Sequence, residues 1–288
     1  MIQATVIADS VTRAGERLIS WELRYPRFIH AEFMTHRAFS RNASSSRAIP
    51  ASRMIREVLA QPAAPIHWGA NEPGMVAHAE LEPNAQAEAN AVWMQACLDA
   101  VKHAQKAALD LFAREIAVAN RLIEPFNHIR VLCSTTDTGN FFALRDHPNA
   151  QPEIQALARA MREAKRASTP RTLGPMQWHL PYIERQDYVM FDTYEGAEWD
   201  GTGAHPISTL IKLSVARCAR VSYRNAQGHL PATDHDLALY ARLMSDTPMH
   251  ASPAEHQATP VVDECSAKLA AQSNFNGWVQ YRKIVEQR

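Results

Sequence analysis

The stretch EFMTHRAFSRNASSSRAIPASR, Glu32 to Arg53, holds four arginines, three consecutive serines and an asparagine in one connection. Residues of these types at this density cannot build a hydrophobic core, but their guanidinium, hydroxyl and amide groups can bind many oxygen atoms at once. The run that enters it, residues 28–35, alternates apolar and polar side chains and predicts a strand. We therefore expect a strand that leads into a loop able to grip a phosphate and the edge of a base.

The arginines of this loop belong to a local excess of positive charge. The whole chain of 288 residues has a formal net charge of zero, yet its first 56 residues hold nine arginines and four acidic residues, a local charge of +5. Such a field attracts phosphates, on a nucleotide or along a nucleic acid. An arginine-rich surface that is merely solvated is the alternative from charge alone.

Composition predicts a soluble, cytoplasmic protein. The hydrophobic content of 46% is that of an ordinary globular domain. The four cysteines are widely spaced without a CxxC pair, which indicates reduced thiols and neither a zinc site nor a disulfide framework. The N-terminus lacks the basic flank of a signal peptide, and no apolar run approaches the roughly 20 residues needed to span a bilayer.

Hydrophobic periodicity predicts a mixture of strands and helices. Strands are expected at residues 2–8 and 128–136, with helices at 52–60, 84–123 and 234–244. The long helix is expected to bury one stripe of side chains. The members of this stripe are Val101, Ala108, Phe112, Ile116, Ala119 and Ile123.

A further helix is expected after Asn149, which is placed to cap it. Pro152 and Glu153 would form its first turn. Its inner face would consist of Ile154, Leu157, Ala158 and Met161. Residues 61–83 and 168–205, rich in proline and glycine, are predicted to be irregular.

The sequence gives little support for a metal site or for a nucleophilic serine or cysteine. His250 and His256 follow Asp234, His235 and Asp236 of the predicted helix 234–244, but their spacing matches no zinc signature. Ser44 to Ser46 lack a strand–GxSxG–helix context, and no cysteine has an obvious neighbouring base. What remains is a set of oxygen-binding side chains. They are Arg37, Asn42, Ser45, Arg47, Arg121, Asn140 and Arg145.

These residues resemble the motifs of the flavin-dependent thymidylate synthases. In THRAFSRNASSSR, His36 and Arg37 match the last two positions of the family's Arg-His-Arg signature, and Ser45 falls at the serine that follows after seven residues. NFFALRDHPNAQPEI resembles the family's second region, an asparagine followed by Leu-Arg and Ala-Gln-x-Glu-Ile. Arg121, four residues before Pro125, fits the arginine that precedes that region.

A third match to the family's motifs occurs at a different place in the order of the chain. ARVSY (219–223) and HASPAEH (250–256) resemble segments that family members carry before the arginine motif. We interpret this as a circular permutation, in which residues 250–256 return beside the N-terminal strand, since chain termini commonly lie close together. The chain is thus expected to form one domain, 1–288. Its parts would be an arginine-motif part (1–167), an irregular excursion (168–205) and a permuted segment (206–288).

The sequence also departs from the family pattern at four places. Thr35 replaces the first arginine of the signature, Glu32 replaces a glutamine three residues earlier, and Asn149 replaces a flavin-contacting histidine. The family's second-region arginine near the flavin has no clear equivalent after Cys133. Gln280 and Arg282 are candidates for the missing groups on the basis of residue type.

The resemblance implies an α+β fold like that of the thymidylate synthase complementing proteins, a mixed or antiparallel sheet packed with long helices. It implies a homotetramer with FAD at subunit interfaces, NADPH as reductant and methylenetetrahydrofolate as carbon donor. The substrate would be dUMP, methylated at C5 to dTMP without an enzyme nucleophile. No metal, membrane or nucleic-acid partner is expected.

The resemblance also assigns roles to residues. Catalysis would depend on Arg145, Ser45 and Arg47, which stabilise developing negative charge and position the nucleotide. The substrate-binding set is Glu32, Ser45, Arg47, Arg121, Arg145 and Arg282. The cofactor-binding set is His36, Arg37, Asn42, Asn140, Asn149, Ser222, His250, Ser252 and Glu255.

Two alternatives remain open at the level of sequence. Glu32 accepts hydrogen bonds well and an exocyclic amine donates them, so C5 methylation or hydroxymethylation of a cytosine nucleotide such as dCMP is conceivable. A non-catalytic nucleotide- or RNA-binding protein on the same fold is the alternative from another class, and it should show a basic surface track with a steep salt dependence.

Overall fold

The computed structural model describes residues 1–73, 77–108, 116–222 and 232–287, and the side chains of 116, 117 and 222 lie outside that description. Its centre is a five-stranded sheet in the order β3-β4-β2-β1-β5. The strands are β1 (Gln3–Thr12), β2 (Arg17–Pro26), β3 (Ser40–Ala43), β4 (His128–Thr135) and β5 (Arg171–Leu173), with a separate pair of β6 (Ala258–Pro260) and β7 (Trp278–Gln280). Only β5 pairs in parallel, with β1, so the sheet is mixed and mostly antiparallel.

The helices surround this sheet, which confirms the α+β fold class. They are α1 (His30–Phe33), α2 (Ala51–Ala60), α3 (Pro83–Lys106), α4 (Ile116–Ile123), α5 (Gly139–Arg145), α6 (Pro152–Ala167), α7 (Arg185–Met190), α8 (Pro206–Ala219), α9 (Thr233–Ser245), α10 (Glu264–Ala270) and α11 (Tyr281–Val285). Among the residues described, no helix combines the length and apolar character required to cross a bilayer.

The first face of the sheet packs against α6. Alternate residues of β2 and β4, such as Trp21, Leu23 and Val131, enter one core with the predicted inner face of α6, which is confirmed. The second face packs against a later part of the chain, where Leu132 of β4 shares a core with Tyr182 and Cys218. Strand alternation thus places different segments of the chain on the two sides of the sheet.

The predicted strand at 28–35 is wrong. Residues Arg27–Ile29 form a 3₁₀ turn and α1 follows. Ile29 and Phe33 are both buried, so the burial period is four residues and fits a helix face. The N–H of Arg27 donates to the carbonyl of Asn127, the next pair after Pro26 and His128, and the chain leaves the sheet after this bond.

The helix predicted over 84–123 corresponds to two described helices, α3 and α4. The residues between 108 and 116, including Phe112 of the predicted stripe, lie outside the described part of the chain. Val101 and Ile123 of that stripe are buried together in a core with α2. The stripe is therefore confirmed at these positions, although it is carried by two helices.

Asn149 does not cap α6. The helix begins at Pro152 after Gln151, and no side chain caps it. The N–H of Asn149 instead donates to Nδ1 of His147. Pro152 at the first helical position needs no hydrogen-bond acceptor for a backbone N–H, so this start depends less on a capping side chain.

The excursion 168–205 is more ordered than predicted, because it contains β5 and α7. Arg217 of α8 bonds both carboxylate oxygens of Asp187, at 2.6 and 2.7 Å, and also pairs with Asp236 of α9. All three side chains are at most 4% exposed. This buried ion network ties α7, α8 and α9 together.

Candidate active site

The structure brings two of the sequence motifs into direct contact. Arg145, the last residue of α5, donates from Nε to Nε2 of His36 at 2.9 Å, across 109 residues of sequence. Its Nη1 forms an ion pair with Glu32 of α1. A guanidinium bonded on two sides is held in one orientation, so these three side chains form a fixed polar cluster at the edge of the sheet.

His36 is held as a neutral imidazole in this cluster. It is 8% exposed, and the edge of the Phe141 ring meets it with centroids 4.9 Å apart. Burial, followed by the charges of Arg145 and Arg41, lowers the pKa of His36 to about 4. Because Nε2 accepts from Arg145, the proton of the neutral ring is on Nδ1, which has no acceptor among the described residues.

Arg41 is a member of this region that the sequence did not single out as a site residue. Its Nη1 donates to the carbonyl of Phe33 at 2.9 Å, and its guanidinium lies 5.9 Å from the centroid of that ring. Burial lowers the pKa of Arg41, and the nearby carboxylate of Glu255 opposes that shift. The position of Arg41 on the edge strand β3 could not be deduced before the pairing of β3 with β4 was known.

The loop of residues 44–49, which contains the three serines and Arg47, is held in place by hydrogen bonds to its backbone. The Ser44 N–H donates to the Arg130 carbonyl at 2.8 Å, and Ser45 accepts from the N–H of Arg47 at 3.3 Å. Asn120 of α4 is fully buried and donates to the carbonyls of Ser46 and Ile49, both at 2.7 Å. The loop is therefore rigid at its base, and the Arg47 side chain remains exposed.

The C-terminal segment of the chain contacts β3. Gln280 donates to the Ser40 hydroxyl at 3.2 Å and to the Glu255 carbonyl at 3.0 Å. The carboxylate of Glu255 forms an ion pair with Arg282. Residues from both ends of the sequence therefore meet at the outer edge of the sheet, beside Arg41.

A buried chain of hydroxyls and imidazoles on the second face was not predicted. His179 bonds Ser10 and Ser20, both at 2.9 Å; Ser20 bonds Ser134; and Ser134 bonds Nδ1 of His256 at 2.9 Å. Within the described residues, Nε2 of His256 is buried without a hydrogen-bond partner. The only signal in the sequence was the position of His256 in the third motif.

Several predicted site residues lie on the surface of the chain. Within the described residues, no hydrogen bond or ion pair joins them to the His36–Arg145 cluster. They are Arg37, Arg47, Arg121, Asn140, Asn149, His250 and Ser252. His250 lies 3.6 Å from Asp246, and Asn42 donates to the carbonyl of Cys218 at 3.4 Å. The side chain of Ser222 lies outside the described residues.

The model of the thymidylate synthase complementing protein family, Thy1, matches residues 17–171, more than half of the chain. The chain belongs to this family. The match confirms the resemblance inferred from the motifs, and it contains Glu32, His36 and Arg145. The Thy1 match ends before residues 206–288, so the permuted order of the third motif stays a prediction.

Two solved structures are also similar to the chain. The UMP/dUMP methylase PolB from Streptomyces cacaoi, bound with 5-Br dUMP, is 15% identical, with a TM-score of 0.45 over 57% of this chain and 90% of that one. Thymidylate synthase X from Helicobacter pylori, with FAD and dUMP, is 17% identical, with a TM-score of 0.35 over 51% of this chain and 67% of that one. No curated protein matches the chain significantly.

Proposed function

We propose that this chain is a flavin-dependent enzyme that transfers a one-carbon unit to C5 of a pyrimidine nucleotide, with dUMP as substrate and dTMP as product. The observation that carries the proposal is the bond between Arg145 and His36, which unites the two motifs inside the Thy1 match. FAD, when bound, would supply hydride, with NADPH as its reductant and methylenetetrahydrofolate as carbon donor.

The residues present fit a flavin. His36 has a free Nδ1–H in a position shielded by Phe39 and Phe141, which suits a polar atom of a planar ring. Arg37 makes no ion pair or hydrogen bond within the described residues and is free to bind a diphosphate.

Arg145 would bind the base, where its charge opposes the negative charge that develops on the ring during reaction at C5. A fixed cation in a site that excludes water is most effective for this purpose. The side chain is already oriented by His36 and Glu32, so binding would require little further ordering.

The phosphate of the nucleotide would be bound by the loop. Ser45 and Arg47 lie at the turn that Asn120 holds in place, and Arg121 follows Asn120 on α4. Neither Arg47 nor Arg121 has an ion-pair partner in the part of the chain that the structure describes. Both guanidinium groups are therefore available to a phosphate.

The exposed arginines also support a site shared between subunits. Within the described residues the side chains of Arg37, Arg47 and Arg121 are exposed, and no hydrogen bond or ion pair joins them to the His36–Arg145 cluster, so a second copy would supply such arginines to that cluster. Val118 and Leu122 on α4, at 50% and 43% exposure, offer apolar surface beside Arg121. We propose on this basis that the chains assemble as a homotetramer. The cytoplasmic location proposed for it comes from the composition of the sequence.

Glu32 favours dCMP as a second candidate substrate. Its carboxylate is held next to Arg145, where it could accept a hydrogen bond from an exocyclic amine. The product would be the methylated or hydroxymethylated cytosine nucleotide.

The test is to purify the protein, record its visible spectrum, and measure tritium release from C5-labelled dUMP and dCMP with NADPH and methylenetetrahydrofolate. We expect an oxidised-flavin band that NADPH bleaches, and tritium release from dUMP. R145K should lose at least 100-fold in release, whereas R159K, at an exposed ion pair with Asp146, should keep it. A colourless protein that takes up no FAD would overturn the proposal and favour a nucleotide- or RNA-binding module.

A further inference from the structure

A cavity of about 270 Å³ lies at the end of the sheet where β2 approaches its last residues and β4 begins. Three of its seven polar lining residues are arginines. Arg24, Arg53 and Arg130 contribute to its wall, together with Ser44, Gln61 and His128. None of these residues belongs to the His36–Arg145 cluster or has a role in the proposed reaction.

The charges of this cavity are not balanced by the residues that line it. Arg24 and Arg130 stand directly opposite each other on β2 and β4, an arrangement of like charges that destabilises a sheet. Burial and the charge of Arg130 lower the pKa of Arg24. Glu57, which pairs with Arg53 at 2.9 Å, is the acid among the lining residues, so two positive charges are left over.

Arg130 carries a positive charge that no described residue pairs with. Its backbone is fixed by Ser44 on both the N–H and the carbonyl side, at 3.2 and 2.8 Å. Its guanidinium has neither an ion pair nor a hydrogen bond in the part of the chain that the structure describes. Burial and Arg24 lower the pKa of His128 to about 3, so this ring adds hydrogen-bonding capacity without further positive charge.

We propose that this cavity binds a phosphate dianion, either inorganic phosphate or the phosphate of a small phosphomonoester. Arginine forks match the geometry of phosphate oxygens, and a dianion cancels the surplus of two charges. The volume is below that of a typical pocket for a drug-sized ligand, so it accommodates a phosphate with a small attached group and not a nucleotide.

The bound anion would also hold the loop of the proposed nucleotide site. Ser44 and Arg53 line the cavity, whereas Ser45 and Arg47 lie between them in sequence at the turn. A ligand that bonds both Ser44 and Arg53 would therefore restrain the two ends of this segment. The restraint of this segment by a bound anion does not depend on the proposed reaction.

The test is thermal unfolding of the nucleotide-free protein in increasing phosphate, with chloride at matched ionic strength as the reference. We expect phosphate to raise the melting temperature saturably, and ribose 5-phosphate to do the same if the ligand is a phosphomonoester. R130Q should raise the half-saturating phosphate concentration at least tenfold. Without phosphate R130Q should be no less stable than the wild type, because the repulsion with Arg24 is removed.

Two further variants separate this site from the proposed active site. R47Q, which alters the proposed phosphate site of the nucleotide but not the cavity, should respond to phosphate like the wild type. R53Q should show the same loss as that expected of R130Q, which keeps the test available if R130Q does not fold. An unchanged phosphate response in R130Q and R53Q, or a response abolished by R47Q, would overturn the proposal. If chloride at matched ionic strength stabilises as much as phosphate does, the cavity is only a basic surface and the proposal is also wrong.

Discussion

At the scale of single residues, Glu32 has two effects on the guanidinium of Arg145: it orients the group and partly neutralises its charge. Glu32 holds Arg145 toward His36 and reduces the positive potential that a nucleotide would meet. Both partners are partly exposed, so the pair contributes at most about 1 kcal/mol.

Replacing Glu32 by glutamine should therefore tighten the binding of dUMP by up to about fivefold, because Arg145 keeps a hydrogen-bond partner and loses the opposing charge. Titration calorimetry with dUMP measures the change. D146N is a matched control, since Asp146 neighbours Arg145 in sequence and its carboxylate pairs with Arg159 and Arg162. Weaker dUMP binding in E32Q would contradict this view, and a selective loss of dCMP binding would make Glu32 the acceptor of an amine.

The buried histidines of the second face predict a loss of stability in acid. Burial lowers the pKa of both His179 and His256 to about 3, against about 6.5 in the unfolded chain. Between these values the unfolded state binds more protons than the folded state, so stability is constant above pH 7 and falls as the pH drops through 6.5. At pH 5 each histidine should cost about 2 kcal/mol.

Urea unfolding at pH 7 and pH 5 tests this expectation. H179Q should lose stability at both pH values but show a smaller difference between them, because one proton-binding group of the unfolded state is removed. H103Q, at an exposed position on α3, removes a histidine without changing the buried chain and should keep the wild-type difference. Equal pH dependence in H179Q and the wild type would contradict the assignment.

At the scale of secondary-structure elements, α7, α8 and α9 depend on one buried guanidinium. Replacing Arg217 by methionine leaves the buried carboxylate of Asp187 without its ion-pair partner, whereas Asp236 keeps its ion pair with Arg220 at 2.6 Å. Breaking a buried pair in this way costs about 3–5 kcal/mol. R159M, at an exposed pair, should cost less than about 1 kcal/mol.

Denaturant unfolding of R217M and R159M compares the two costs directly. We also expect faster proteolysis within residues 168–205 of R217M, since α7 would lose its main polar anchor on α8. A cost below that of R159M would show that Arg217 is not the residue that holds these elements together.

At the scale of the whole molecule, an assembly would explain surface features that one chain leaves unused. Sedimentation should show a particle of four times the 32.2 kDa of one chain, with one FAD for each chain. L122E places a charge on the exposed apolar surface of α4 and should dissociate the particle with loss of FAD, whereas L59E, on the exposed side of α2, is the matched control. A monomer that retains FAD and activity would contradict the shared site.

The sequence by itself determined the motifs, the family, the strands β1 and β4 and the inner face of α6. These features depend on residue type and on local spacing. An apolar period of two residues specifies the buried side of a strand, and a period of three to four residues specifies the buried side of a helix. His36, Arg37, Ser45 and Arg145 could be selected for the same reason, since arginine, serine and histidine at these spacings match one chemistry. Their roles in binding and catalysis stay predictions.

The tertiary structure alone decided which distant residues meet. Residues 28–33 alternate like a strand, but after Pro26 the chain leaves the sheet and the burial of Ile29 and Phe33 makes them helical. β2 was not predicted, and its pairing with β4 is what sets Arg24 against Arg130. The contacts of Arg145 with His36 and Glu32 likewise join α5 to α1. Such contacts depend on strand order and register, and these follow from burial summed over the whole chain.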